Sequence, residues 1–395
     1  MRILFDLIST QPAGNSKYHG GSEYAKVVFE FLLKKNESHH RNQEVVAFFN
    51  EDMYLDKHIR DLINHYQIKY YNVKGKKDLQ ELLNTGQFDK FYSALPYEYY
   101  DLCLHNINFL YTIHGLRPLE LPTDTFESKY QQNLISKLKF FYKTYFKNRY
   151  INMRKLQFDR LLMVTQNRKI IVPSYHTKFA LLNHFPYLNN EQISVLYSPM
   201  KTEKSNIINE EDSLTELGVA KKNYYLLISG DRWIKNSYRA ILAFDRLLSE
   251  QKEFQKKILV LGVNNESFFL KKLKNKKKFI FRGYIPEEEL EVAYKNAFCF
   301  IYPTLNEGFG YPPLESMKYG VPVIASAITS IPEVCKDGVV YFNPYSIEEI
   351  MNRILYINNE NSIRDELSKR GLEVYKNVRE KQEEMLDNLI EMILT

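Results

Sequence analysis

Short apolar runs recur along the chain, and most are followed by a polar loop and then by apolar residues at helical spacing. The first run, residues 2–8 (RILFDLI), predicts a buried strand. Further runs at 44–50, 68–73, 89–94, 109–113, 169–174 and 192–199 predict more strands in the first half. In the second half the runs fall at 224–230, 257–263, 279–281, 298–302 and 321–325. Several are apolar throughout rather than alternating, as in parallel strands covered on both faces. Between them, SEYAKVVFEFLLKK after Gly21, residues 54–66, 78–84 and 175–185, and the stretch Tyr238–Leu248 read as helices. Ser22 is placed to cap the first of these, Ser174 and Thr177 to begin that at 175–185, and Asn236–Ser237 to cap the one after Lys235. Strands alternating with helices predict an α/β class with parallel sheets. The polar stretch after residue 200 breaks the pattern and sets a domain boundary near there. Residues 361–394 read as two helical stretches.

The element at residues 301–326, IYPTLNEGFGYPPLESMKYGVPVIAS, organises the second half. A strand, Phe298–Tyr302, runs into a loop with Glu307, Gly308, Phe309 and Gly310. Pro312 and Pro313 then open a short helix through Tyr319, because a missing N–H costs nothing at a first helical position. Gly320 closes it, a usual place for a left-handed residue. The helix N-terminus and the glycines suit a phosphate. Glu307 and Glu315, with seven residues between them, supply carboxylates for paired hydroxyls. A solvated Glu307 and a Glu315 that merely complements the helix dipole is the plainer alternative.

Three other loops carry candidate chemistry. After the strand 224–230, Gly230 gives a turn, and Arg232 and Lys235 follow within one loop. A guanidinium fork and an ammonium at a strand's carboxyl end suit a diphosphate. The strand Phe109–Ile113 ends in His114 and Gly115, where open α/β sheets bind ligands. Gly20 and Gly21, at a strand-to-helix turn, invite phosphate or sugar oxygens; a flexible turn is the alternative.

These motifs resemble the E-x7-E signature of the retaining glycosyltransferases of family 4. The resemblance implies a GT-B fold of two facing Rossmann-like domains with an interdomain cleft. It divides the chain into an N-terminal acceptor domain, 1–200, a nucleotide-sugar donor domain, 201–375, and a terminal helix from 376 to 395 that crosses back. It implies a catalytic set of Glu307, His114, Lys235 and Arg232. Donor contacts fall to Gly20, Gly21, Gly230, Tyr284, Leu290, Gly308, Phe309, Gly310 and Glu315. Tyr284 and Leu290 would meet the base, with core packing the alternative for Leu290, and Thr329 and Ser330 lie near the phosphates. The implied reaction moves a sugar from a nucleoside diphosphate sugar to a saccharide or lipid-linked hydroxyl, in polysaccharide or glycoconjugate synthesis. A non-catalytic sugar-nucleotide-binding protein is the rival. A nicotinamide-dependent oxidoreductase would need GxGxxG after the first strand, which is absent.

Composition narrows the setting. The chain has 395 residues, 44% hydrophobic and 26% charged, as in ordinary globular proteins. A net charge of +6 is too modest to argue for nucleic acid. Three cysteines, Cys103, Cys299 and Cys335, at unrelated spacings make neither a disulfide framework nor a zinc site, and a cytoplasmic location is expected. No cofactor and no metal are expected, since no Asp-x-Asp or His cluster supplies ligands. No signal pattern opens the chain, and no run nears the length of a spanning helix.

Residues 123–169 stand apart as a basic aromatic helical insertion. Ten Lys or Arg face one Asp between Lys137 and Lys169. Such a segment can lie on the inner face of an anionic membrane, or form a helical hairpin with its aromatics packed inward.

Overall fold

The computed structural model describes residues 1–12, 20–38, 43–131, 133–200 and 208–395. The polar loop expected before Gly21 falls over 13–19, and the start of the interdomain link over 201–207, outside the described residues. The chain divides into two compact units. Unit 1 comprises Met1–Leu119, Asn148–Thr202 and Arg379–Thr395; unit 2 comprises Glu120–Lys147 and Glu203–Val378. Residues 123–147, read from sequence as part of an insertion in the first domain, therefore pack with the second unit.

Unit 1 holds a seven-stranded sheet of β1 (Arg2–Asp6), β2 (Glu44–Phe49), β3 (Lys69–Asn72), β4 (Lys90–Ser93), β5 (Asn108–Thr112), β6 (Arg168–Val172) and β7 (Ile193–Val195). The order is β3-β2-β1-β4-β5-β6-β7, and every pairing is parallel. The central strands are buried along nearly their whole length, which accounts for their unbroken apolar runs. β3 lies at one edge, where Lys69 and Tyr70 face solvent. Unit 2 repeats the plan with β8 (Tyr224–Leu227), β9 (Lys257–Leu261), β10 (Phe279–Arg282), β11 (Cys299–Tyr302), β12 (Val323–Ser326) and β13 (Val340–Phe342), in the order β10-β9-β8-β11-β12-β13. Its pairings too are parallel. In each sheet the chain starts in the middle, winds outward, then returns to the other side of its first strand. This creates switch points between β1 and β4 and between β8 and β11, where open sheets bind ligands.

Six helices frame the candidate sites and the basic insertion: α1 (Gly20–Ser38), α2 (Leu134–Tyr145), α3 (Lys147–Leu162), α4 (Ser237–Glu250), α5 (Tyr311–Met317) and α6 (Asn361–Leu394). Several depart from the sequence reading. α1 begins at Gly20, so Ser22 lies inside the first turn, buried, and does not cap it. Gly21 is likewise helical rather than in a preceding turn; a Cβ there would meet Leu95 Cδ2 at 2.7 Å, so the Leu95 side chain would have to shift. α5 stops at Met317, and the chain turns through Gly320 at φ +62°. α6 is one continuous helix of 34 residues instead of two. Gly371 sits inside it, and its bare Cα lets Met317 approach; a Cβ would meet Met317 Cγ at 3.2 Å.

The basic insertion resolves into α2 and α3, which turn opposite characters to their surroundings. α3 buries Phe158, Leu161 and Leu162 in the unit 1 core. α2 buries no residue at all, so an inward-packed aromatic hairpin is not what forms there. Ser174 caps the helix Tyr175–His184 as expected, accepting a hydrogen bond from the Thr177 amide at 3.2 Å.

Candidate functional site

The switch point of unit 2 brings together the loops that follow β8 and β11. Lys235 comes from the first and Glu307 from the second, and they form an ion pair of 2.6 Å between Nζ and Oε1. Both are largely buried, with side chains 10% and 17% exposed. Glu307 is therefore no solvated loop residue. The Lys235 ammonium also donates to the Tyr302 hydroxyl at 2.7 Å. That hydroxyl donates to Glu307 Oε1 at 2.8 Å, and the Thr304 hydroxyl donates to the same oxygen at 2.7 Å. One carboxylate oxygen thus takes three hydrogen bonds, two from hydroxyls at the end of β11 and one from a cation.

The electrostatics follow from this closure. Burial pushes the Glu307 carboxyl upward, but the Lys235 charge and the hydrogen bonds from Lys235, Thr304 and Tyr302 outweigh it and hold the group below its ordinary value. Burial lowers the Lys235 ammonium, the Arg232 charge lowers it further, and Glu307 partly offsets both. Burial, then the Glu307 charge, keeps the Tyr302 phenol protonated. Arg232 itself is exposed at the rim, the placement of a cation that can reach a ligand from solvent. Glu315, half-buried in α5, acts on the same cluster: its charge raises Lys235, and it adds to the burial that pushes the Tyr294 phenol up.

A supporting layer fixes these loops. The Glu307 amide donates to the Thr329 hydroxyl at 3.1 Å, and the Ser330 hydroxyl donates to the carbonyls of Glu307 and Phe309 at 3.0 and 2.9 Å. Gly310 takes φ +108°, which favours glycine, and a Cβ there would lie 2.5 Å from Ile331 Cδ1, so that side chain would have to shift. On the β8 side, Asn236 is left-handed at φ +57° and precedes α4. Its side chain does not cap the helix. It donates instead to the carbonyls of Pro303 and Pro344 at 2.9 and 2.8 Å, and accepts from Arg239 at 2.8 Å. Arg239 is gripped by both Asp124 oxygens at 2.9 Å, with side chains only 4% and 6% exposed. Tyr130 accepts the Tyr238 amide at 3.0 Å, and Asn306 donates to Glu120 at 3.1 Å. The segment from 120 to 130 is thus built into the loops at the switch point of unit 2.

The remaining sequence-derived candidates divide. Gly308, Phe309 and Gly310 share the Glu307 loop; the Phe309 ring is buried at 4% exposure, leaving the backbone as its contribution to a ligand. Gly230 ends the β8 turn with its amide on the Leu261 carbonyl at 2.9 Å, packed against Val263. Tyr284 is 74% exposed and Leu290 half-buried, so Leu290 is not a core residue. Gly20, Gly21 and His114 belong to unit 1. His114 follows β5 and donates from Nε2 to the Ala94 carbonyl at 3.0 Å, because a carbonyl can only accept. The Tyr24 ring meets the imidazole edge-on at 4.8 Å. Tyr302, Thr304, Asn236 and Arg239 were missed from sequence. The signal available for the first three was position: each hydroxyl or amide sits at or beyond the carboxyl end of a strand flanking the switch point. Among the described residues, no group of three or more His, Cys, Asp or Glu is placed to hold a metal ion, and no helix is long and apolar enough to cross a membrane.

Residues 209–374 match the family described as glycosyl transferases group 1. The O-antigen chain mannosyltransferase RfbU of Salmonella typhimurium is 26% identical over 229 residues, covering 54% of this chain. The match spans 61% of that relative, under two thirds of its length. Two solved structures share the fold at 14% identity. The sucrose-phosphate synthase of Thermosynechococcus elongatus superposes with a TM-score of 0.66 over 99% of this chain and 98% of its own. Anabaena HepE, solved in complex with UDP-glucose, does so at 0.62 over 98% and 99%. The chain thus has the GT-B fold of two parallel-sheet α/β units, and the stretch similar to the glycosyl transferases group 1 model lies in its second unit.

Proposed function

We propose that the chain is a retaining glycosyltransferase that moves a sugar from a nucleoside diphosphate sugar to a hydroxyl of a saccharide or lipid-linked acceptor. The single observation that carries this reading is the meeting of Lys235 and Glu307 at the β8/β11 switch point, with Arg232 at the rim. An ammonium has three donors. Two are used on Tyr302 and Glu307, and the third serves a phosphate oxygen of the donor. All three hydrogen bonds to the Glu307 carboxylate go to Oε1, which leaves Oε2 for the sugar hydroxyls. Glu315 takes the ribose.

The difficult event is cleavage of the bond between the anomeric carbon and the diphosphate oxygen. Negative charge grows on the departing oxygens, and Lys235, Arg232 and the backbone of Gly308–Gly310 stabilise it without moving, which is electrostatic preorganisation. The acceptor oxygen bonds to the anomeric carbon, and its proton ends on the departing diphosphate. Glu307, with Oε1 bound by Lys235, Tyr302 and Thr304 and Oε2 turned to the sugar hydroxyls, acts by positioning, and no step needs it as a nucleophile. The likeness to an O-antigen mannosyltransferase supports a role in polysaccharide or glycoconjugate synthesis. A cytoplasmic site of action, on the inner face of a membrane, is part of the same proposal.

The test is incubation with UDP-, GDP- and ADP-sugars and a panel of saccharide acceptors, following release of nucleoside diphosphate. The anomeric configuration of the product is then read by NMR coupling constants. Release with retained configuration is the expected result. Nucleotide-sugar binding without any release would support the non-catalytic rival instead.

A further inference from the structure

Helix α2 is turned inside out. Only Ser136, Phe140 and Lys143 are half-buried; every other residue from Leu134 to Tyr145 is exposed. These three are spaced at i, i+4 and i+7, so they form one face, and that face is the one held against unit 2. Lys143 fixes it: the ammonium pairs with the Glu127 carboxylate and lies 5.2 Å from the Trp233 ring centroid. The opposite face carries the apolar residues. Leu134, Ile135, Leu138, Phe141 and Tyr145 are 72%, 67%, 59%, 61% and 72% exposed, and Phe146 continues the stripe at 44%. Phe141 and Tyr145 stack on each other at 5.5 Å, with an interplanar angle of 10°, rather than on the body of the protein. A contiguous apolar stripe left in water marks a surface that something covers.

The charges around the stripe select what covers it. Lys137, Lys139 and Lys147 are exposed along the same segment, and no Asp or Glu occurs between Glu127 and Asp159. A second copy of the chain meeting this face on a two-fold axis would set like charges against each other, with no acid on the element to neutralise them. An anionic bilayer meets both requirements, taking the aromatics at the headgroup level while the lysines reach the lipid phosphates. We propose that α2 is a docking element for an anionic lipid surface, lying in the bilayer plane with Leu138, Phe141 and Tyr145 immersed. Through Lys143 and Trp233 the docked helix is tied to the loop that carries Arg232 and Lys235. The inference deepens the membrane part of the proposed function and rests on none of its sugar chemistry.

The test uses the full chain without any sugar nucleotide, so its failure is distinct from failure of the transferase reading. Sedimentation is measured with vesicles of phosphatidylglycerol and phosphatidylethanolamine, and with vesicles of phosphatidylcholine alone. The expected result is binding to the anionic vesicles, weakened by salt, and little to the neutral ones. The double variants Phe141→Ser/Tyr145→Ser and Lys137→Glu/Lys139→Glu should each lower the partition coefficient about tenfold or more at an unchanged melting temperature, since the altered groups are solvent-exposed. Absence of vesicle binding, equal binding to both vesicle types, or variants that bind like the parent chain would overturn it. So would a dimer in solution that Phe141→Ser/Tyr145→Ser converts to a monomer.

Discussion

Tyr302 illustrates what a single side chain adds to a site whose charges were already legible. Glu307, Glu315, Arg232 and Lys235 stand out in the sequence because charged residues in Gly- and Pro-rich loops after apolar runs have few structural reasons to be there. Tyr302 reads as one more aromatic of a buried strand, and its ring does pack there; only the fold shows its hydroxyl bridging the Lys235 ammonium and the Glu307 carboxylate. Tyr302→Phe removes that bridge while keeping the ring. It is expected to lower the transfer rate by about tenfold through a misplaced pair, in steady-state assays at saturating donor. A second residue-scale expectation concerns Asp6, buried at the end of β1. Burial raises its carboxyl from 3.8 to about 6, against hydrogen bonds from Ser93, Tyr99 and the Ser9 amide that lower it. The native state therefore binds a proton more readily than the unfolded chain, so stability falls as pH rises from 3.8 to about 6. The loss amounts to about 3 kcal/mol once Asp6 is ionised. Asp6→Asn should flatten that slope by about this amount in urea unfolding across the same window, and an unchanged slope would refute it.

Elements were legible where periodicity alone decides them. The strand runs and the alternation with helices are visible because parallel strands buried on both faces admit few polar residues. What could not be read was which body each helix packs on. α2 and α3 are both basic helices with apolar and aromatic residues, yet one leaves its apolar side in water and the other buries Phe158, Leu161 and Leu162. That difference lies in tertiary anchors such as Lys143 on Glu127, which lies outside the stripe it orients. The segment just before α2 is held by a buried pair, Asp124 with Arg239, which also steadies Asn236 next to Lys235. Removing one partner strands the other charge, so Asp124→Ala should cost about 3–5 kcal/mol in chemical denaturation. At the loop after β11, Gly310→Ala should cost about 2 kcal/mol or more, from φ +108° and the clash with Ile331. A loss under a few tenths in either variant would mean that these loops are not held as described.

At the scale of the whole molecule, two sheets with the same winding order each offer one switch point, but they are furnished differently. Around the unit 1 point stand His114, Tyr24 and a buried carboxylate, Asp6. Around the unit 2 point stand a buried lysine, an arginine at the rim and two glutamates. Cations suited to a diphosphate thus sit in the unit whose residues 209–374 match the group 1 model. The central claim is that Lys235 and Glu307 form the seat of a nucleoside diphosphate sugar. The most direct test is titration calorimetry with the UDP-, GDP- and ADP-sugars against the parent chain, Lys235→Ala and Glu307→Gln. The account expects at least one donor to bind the parent chain, and binding to fall about a hundredfold in Lys235→Ala, the loss of a charge-assisted phosphate contact in a buried site. Donor binding of equal strength in all three proteins, each shown folded by its melting curve, would contradict it.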